Sequence, residues 1–170
     1  MGAMNPEEPQ GAGGISRRKM LRRMGAGVAI AWTAPILTSV RVPAYAQVSP
    51  GCQLRASMDG AQETPPNASP GTGTAIFTRT APNQLSYTYD YQNLVSPLTA
   101  SHIHEAPPGT PGSIVIPLSI GAGGTSGTVS DTATADPALL DRICANPAGF
   151  YINLHTDTFP GGEIRGQLTF

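Results

Sequence analysis

Apolar and polar residues alternate in short runs along most of this chain, and glycine and proline fall between the runs rather than within them. Side chains two apart on a strand share a face, so such alternation predicts half-buried β-strands. The clearest case sets Leu85, Tyr87, Tyr89 and Tyr91 against Ser86, Thr88 and Asp90. The pattern predicts eight strands, over 52–58, 73–79, 85–91, 98–104, 113–118, 125–130, 150–155 and 163–170. The second and third form a hairpin across Ala81-Pro82-Asn83, and the last two form another. One helix interrupts the strands, near 137–145. Asp136 suits its N-cap, Pro137 its first position, Leu139, Leu140, Ile143 and Cys144 make an apolar stripe, and Asn146-Pro147 ends it. Eight short antiparallel strands with one helical connection imply an all-β fold, a Greek-key sandwich or barrel. Periodicity does not set the order of the strands.

Alternation also decides which residues face outward. With Ile103, Ile152 and Leu154 in the core, the chain's only three histidines, His102, His104 and His155, point away from it. In the last strand, inward Ile164, Leu168 and Phe170 leave Glu163, Arg165 and Gln167 outward. A His-x-His pair puts two imidazoles on one side of a strand, and His155 joins them if its strand runs beside theirs. Three neutral nitrogens with an open position suit copper best by ligand softness and geometry, with zinc next; calcium and magnesium prefer oxygen. The competing reading makes the three histidines ordinary surface residues. Glu105, Asp157 and Glu163 are placed either to orient imidazole N–H groups or as solvated loop charges, the latter preferred for Asp157. Arg165 lies near Asn153 and His155 in a regular hairpin. There it draws a small anion to the metal, or forms a surface salt bridge with Glu163 or Asp90.

The first 46 residues carry Ser16-Arg17-Arg18-Lys19-Met20-Leu21, a mainly apolar run from Met24 to Val40, and Ala44-Tyr45-Ala46. This is the order of a twin-arginine export signal with its cleavage site, and it makes Gln47 the first mature residue. Gly25, Gly27, Thr33 and Pro35 interrupt the apolar run, which favours a removed signal over a membrane anchor. The expected destination is periplasmic or extracellular. Residues 47–170 suffice for a single β domain with one core. They keep four arginines and no lysine against nine acids. So acidic a domain disfavours nucleic acid and anionic membrane as partners. Cys52 and Cys144 both lie in it, and an even count in an exported domain favours a disulfide over buried thiols or thiolate metal ligands.

Several motifs in order over 54–170 resemble the CHRD domain, the repeat first described in chordin and common in exported bacterial proteins. They are Gly60-Ala61-Gln62-Glu63-Thr64-Pro65-Pro66, Gly71-Thr72-Gly73, His102-Ile103-His104, Pro111-Gly112, Tyr151-Ile152-Asn153-Leu154-His155-Thr156 and the stretch from Pro160 to Leu168. Chordin is an extracellular growth-factor antagonist, so this resemblance implies an interaction or adhesion module with a protein partner. Ser101-His102-Ile103-His104-Glu105 is also similar, more distantly, to the His-Val-His-Glu copper motif of copper/zinc superoxide dismutases, Greek-key barrels with copper on the outer wall. That likeness implies copper on His102, His104 and His155, with Arg165 as the catalytic residue that guides superoxide. The dismutases add a histidine bridging copper to zinc and further zinc ligands, and this chain has no histidine left for them. Three functions follow: an exported copper-binding domain with superoxide dismutase-like oxidoreductase activity, a non-catalytic envelope copper carrier or buffer, and an extracellular interaction module.

Overall fold

The computed structural model describes residues 52–170; the expected export signal lies outside the described residues. The eight strands are β1 Gln53–Asp59, β2 Thr72–Ala81, β3 Gln84–Gln92, β4 Leu98–Glu105, β5 Ser113–Leu118, β6 Gly127–Thr134, β7 Phe150–Thr156 and β8 Ile164–Gln167. They pair antiparallel in one sheet of order β5-β4-β7-β8-β1-β2-β3-β6. Its two ends, β5 and β6, come into contact, so the sheet curls into a nearly closed barrel. The non-consecutive neighbours β4–β7 and β3–β6 are pairings that Greek-key crossovers produce. The connection from β6 to β7 carries helix α1, Pro137–Ala145, capped by the Asp136 carboxylate, which accepts from the Ala138 N–H at 2.7 Å.

Alternating side chains fill the interior: Leu54, Ala56 and Met58 of β1, Ala75 and Phe77 of β2, the β3 tyrosines, Ile103, Ile152, Leu154 and Ile164 are all buried. Helix α1 adds Leu140 and Ile143. The buried tyrosines carry hydroxyls that need partners, since an unpaired buried polar group costs roughly 1–3 kcal/mol. All three find them in the segment joining β5 to β6. Tyr89 donates to the Ser119 carbonyl at 2.5 Å, Tyr91 donates to the Gly123 carbonyl at 3.0 Å, and the Tyr87 oxygen accepts from the Ser119 N–H at 2.8 Å. The tyrosine row therefore joins β3 to the segment where the barrel closes.

Most expected strand bounds shift by one or two residues, and two strands, β6 and β8, move further. β6 runs on to Thr134 because its backbone pairs along the whole of β3, from Tyr91↔Gly127 to Gln84↔Thr134. Only Val129 of that strand is buried, so its sequence shows little alternation. β8 is shorter than 163–170, and Phe170, expected inside, is 73% exposed, because it lies beyond the last bridge, Arg55↔Thr169.

Cys52 and Cys144 are bonded, tying the start of β1 to α1 across a sequence separation of 92. Closing so long a loop restricts the unfolded chain by about 4–5 kcal/mol on the chain-entropy account. The variant with both cysteines replaced by serine should lose stability of that order in urea unfolding; a loss below about 1 kcal/mol would show that the bridge contributes little.

Candidate metal centre

The site begins with the register of two strands. β4 and β7 are neighbours, with Ala100 opposite His155, His102 opposite Asn153, Ile103 opposite Ile152 and His104 opposite Tyr151. Ile103 and Ile152 are fully buried, so His102, His104, Tyr151, Asn153 and His155 share the other face. His155 is then a diagonal neighbour of His102, within reach across antiparallel strands. The imidazole centroids lie 5.6 Å (His102–His104), 5.0 Å (His102–His155) and 5.7 Å (His104–His155) apart. One nitrogen from each lies within 4.8 Å of the other two. The structure brings all three expected ligands together.

Backbone carbonyls set the ring orientations. His104 Nδ1 lies 3.0 Å from the Gly112 carbonyl, and His155 Nδ1 lies 3.1 Å from that of Pro160. A carbonyl only accepts, so Nδ1–H is the donor in each ring and the Nε2 lone pair is left free. His104 Nε2, His155 Nε2 and His102 Nδ1 are buried and have no hydrogen-bond partner. Burial holds all three imidazoles below their usual 6.5, His155 down to about 4, and the neighbouring imidazoles add to this for His102 and His155. For His104 the Arg165 charge adds to the effect of burial. At neutral pH the site is thus three neutral donors facing one another. Each unpaired nitrogen costs about 1–3 kcal/mol. One cation would satisfy all three, and imidazole donors suit copper or zinc.

This face is roofed rather than open: His104 is 7% and His155 9% exposed. Tyr151 stacks on His104 with centroids 4.9 Å apart and planes 12° from parallel, and its hydroxyl accepts the Gly112 N–H at 3.0 Å. Gly112 thus gives its N–H to Tyr151 and its carbonyl to His104. A Cβ there would collide with the Glu105 carbonyl oxygen, so this close approach requires glycine.

Arg165 pairs with Asn153 in the β7–β8 ladder, as a regular hairpin requires. It is nevertheless not a free surface cation, being 2% exposed with its Cζ 3.5 Å from the Tyr151 ring centroid. It donates to the carbonyls of Thr110 and Pro107, both at 2.9 Å, to Thr64 Oγ1 at 3.1 Å and to Gln167 Oε1 at 3.2 Å. It forms no salt bridge with Glu163 or Asp90. The guanidinium is enclosed because two loops, 60–71 and 106–112, present oxygens to it. Its charge still acts on His104, whose proton affinity it lowers.

The expected carboxylate partners of the imidazoles lie elsewhere. Glu105 follows His104 and so falls on the opposite parity; it pairs with Arg142 of α1 at 2.9 and 3.3 Å on the surface. Glu163 is fully buried and accepts from Ser69 Oγ, the Val95 N–H and Thr156 Oγ1 at 2.6, 2.7 and 2.6 Å, stapling three segments together. Asp157 is exposed. Sequence reading missed Tyr151 as a support, although it shares the outward parity of His155. Gly112 lies in a loop, where no periodicity marks it.

The depressed imidazoles make stability depend on pH. Below about 6.5 the unfolded chain takes up protons that folded His155 refuses until about 4, so this contribution to stability falls as pH drops through that window. Glu63, raised by burial to about 7, works in the opposite sense: its contribution is full below 4.5 and fades as pH rises through 7. The His155 part is therefore read as a difference. Urea midpoints of the metal-free protein should approach those of His155→Gln, or cross them, as pH falls from 6.5 to 4; a gap independent of pH would refute the assignment.

The CHRD domain family matches residues 54–168, a span that holds seven of the strands entire and all but the first residue of β1. No curated protein and no solved structure matches the chain. The match covers most of the sequence and includes all three histidines, Tyr151 and Arg165; the chain belongs to the CHRD domain family.

Proposed function

We propose that this protein is an exported copper-binding CHRD domain with superoxide dismutase-like activity. Copper would be held by Nδ1 of His102 and Nε2 of His104 and His155. The observation that carries this reading is the convergence of three buried, neutral and unpaired imidazole nitrogens. Copper is favoured over zinc by the likeness of Ser101-His102-Ile103-His104-Glu105 to the dismutase copper motif, and by a donor set that both copper oxidation states accept. Export by the twin-arginine route is supported by the residues at 16–46, and the Cys52–Cys144 bridge suits an oxidising compartment.

Bound there, copper would supply one-electron chemistry, converting one superoxide to dioxygen and another to peroxide. The chain's residues prepare the place. The Gly112 and Pro160 carbonyls set two rings, so little reorganisation accompanies metal uptake. Arg165 contributes a fixed positive charge that acts on His104 and would attract a small anion on a domain that is otherwise acidic. His102 is the least buried of the three, so its side is the approach for a diatomic anion. A second reading, the non-catalytic copper carrier, draws support from the depth of His104 and His155.

Titration of metal-free residues 47–170 should show one copper bound, with affinity at least about 100-fold weaker in His102→Ala and His155→Ala. The copper-loaded protein should consume superoxide and His155→Ala should not; equal rates would reject the assignment. Copper binding without superoxide consumption would leave the carrier.

Electrostatic guidance has its own signature. Superoxide consumption should slow as salt is raised, and Arg165→Gln should be about tenfold slower with little salt dependence. A salt response unchanged in that variant would remove Arg165 from the steering role.

A further inference from the structure

The outward face continues past the histidines. His102 pairs with Asn153, and Asn153 with Arg165, across β4, β7 and β8. Against this row lies Glu63, from the connection between β1 and β2, only 6% exposed. Glu63 Oε1 and Asn153 Oδ1 are both buried and both lack a hydrogen-bond partner. They face the same small space over Gly162: a Cβ there would lie 2.5 Å from Glu63 Oε1, 2.5 Å from Asn153 Nδ2 and 2.6 Å from Asn153 Oδ1. The Asn153 amide can serve both forms of the acid: its oxygen accepts from a carboxylic O–H, and its N–H donates to the carboxylate once the proton has left. Glu63 also lines a cavity of about 200 Å³, together with Gln62, Thr64, Arg165 and Gln167. That is room for several water molecules.

The geometry points to Glu63 as the proton-carrying acid of the histidine site, loaded from the cavity water, held by Asn153 and positioned to give its proton to oxygen reduced beside His102. This role rests on the copper reading above. Burial supports it by raising the Glu63 carboxyl to about 7, against the lowering effects of the Thr64 N–H, the Arg165 charge and the Asn153 amide. Arg165 from β8 is the charged group that faces it. Asn153 from β7, Gln167 from β8, and Gln62 and Thr64 beside it in the chain are neutral, and Asp59 of β1 is engaged by the Gln62 backbone and side-chain N–H groups, each at 3.0 Å.

Reducing superoxide to hydrogen peroxide consumes one electron and two protons. The electron is the one that copper(I) supplies in the copper reading. The Glu63 O–H bond breaks as one O–H bond of peroxide forms, and the second proton comes from solvent. The carboxylate left behind is stabilised by Arg165 until cavity water reprotonates it. With no histidine in the chain beyond the three ligands, Glu63 is the neighbouring group whose proton affinity is set near neutrality.

Glu63→Gln keeps the shape and a hydrogen-bond donor but removes the acid. Infrared difference spectra of metal-free protein, unsubstituted minus Glu63→Gln, should show a protonated-carboxyl band at pH 6 that shifts in heavy water and fades by pH 8. After copper loading, Glu63→Gln should bind copper with unchanged affinity but consume superoxide about 100-fold more slowly, without the fall in rate through pH 7 that the unsubstituted protein shows. Should Glu63→Gln not fold, Glu63→Asp serves for both measurements, with the band and the pH profile displaced together. Absence of the band at pH 6, or a pH–rate profile unchanged in Glu63→Gln, overturns the inference. Copper titration of the same samples keeps the two readings apart: no copper binding sinks the copper reading and the relay with it, whereas copper binding without the band sinks the relay alone.

Discussion

The pairing of β4 with β7 is the constraint on which the rest of the molecule depends. It sets Ile103 against Ile152 in the core, and by the same register sets His102 and His104 beside His155 on the opposite face. A slip of β7 by one residue would turn His155 inward, away from His102 and His104, and Ile152 outward. Each fully buried isoleucine stabilises the observed register by roughly 1.5–3 kcal/mol. The positions of the imidazole nitrogens are thus held by apolar packing that never touches them. Stability and ligand geometry are two faces of one ladder.

The outward face has the harder problem, because loops bury it while its side chains remain polar. Most of that polarity is satisfied. Arg165 spends four N–H groups on two loops and a neighbouring side chain, Tyr151 carries both His104 and the guanidinium, and Glu163 takes three donors from three segments. Against that background the unsatisfied atoms are informative. Among the described residues six buried side-chain atoms lack partners, and only Ser101 Oγ lies off this face; the others are His102 Nδ1, His104 Nε2, His155 Nε2, Glu63 Oε1 and Asn153 Oδ1. On a face so thoroughly hydrogen-bonded elsewhere, these gathered orphans are the observation on which the proposed cation and proton sites rest.

How much of this was legible follows from what alternation can carry. Period two reports parity, so the eight strands, the inward isoleucines and the outward histidines could be read directly from residues such as Leu85 to Tyr91 and Tyr151 to His155. Parity says nothing about what covers a face. Arg165 was therefore legible as outward and near Asn153, but not as enclosed by carbonyls from Pro107 and Thr110, since those come from a loop without periodicity. Glu63 sat in a recognised motif, yet its meeting with Asn153 depends on how the β1–β2 connection folds back over β8. Nearness in sequence offers Glu105 and Glu163 as imidazole partners, with solvated charge as the alternative. The backbone carbonyls of Gly112 and Pro160, which have no sequence signature, hold the imidazoles in their place.

The charge balance of the site joins the cation to the proton. Three imidazoles contribute no negative charge, and the enclosed Arg165 adds a positive one, so copper(II) here would sit in a poorly compensated environment and copper(I) in a better one. Oxidation would raise the local charge by one. A neutral Glu63 that releases its proton would lower it by one, beside the row that Asn153 and Arg165 share with His102. An acid that was always ionised would favour copper(II) throughout, and a glutamine would never compensate it. A carboxyl balanced near neutrality lets proton and electron leave together, which is what reduction of an oxygen anion to peroxide requires of its surroundings.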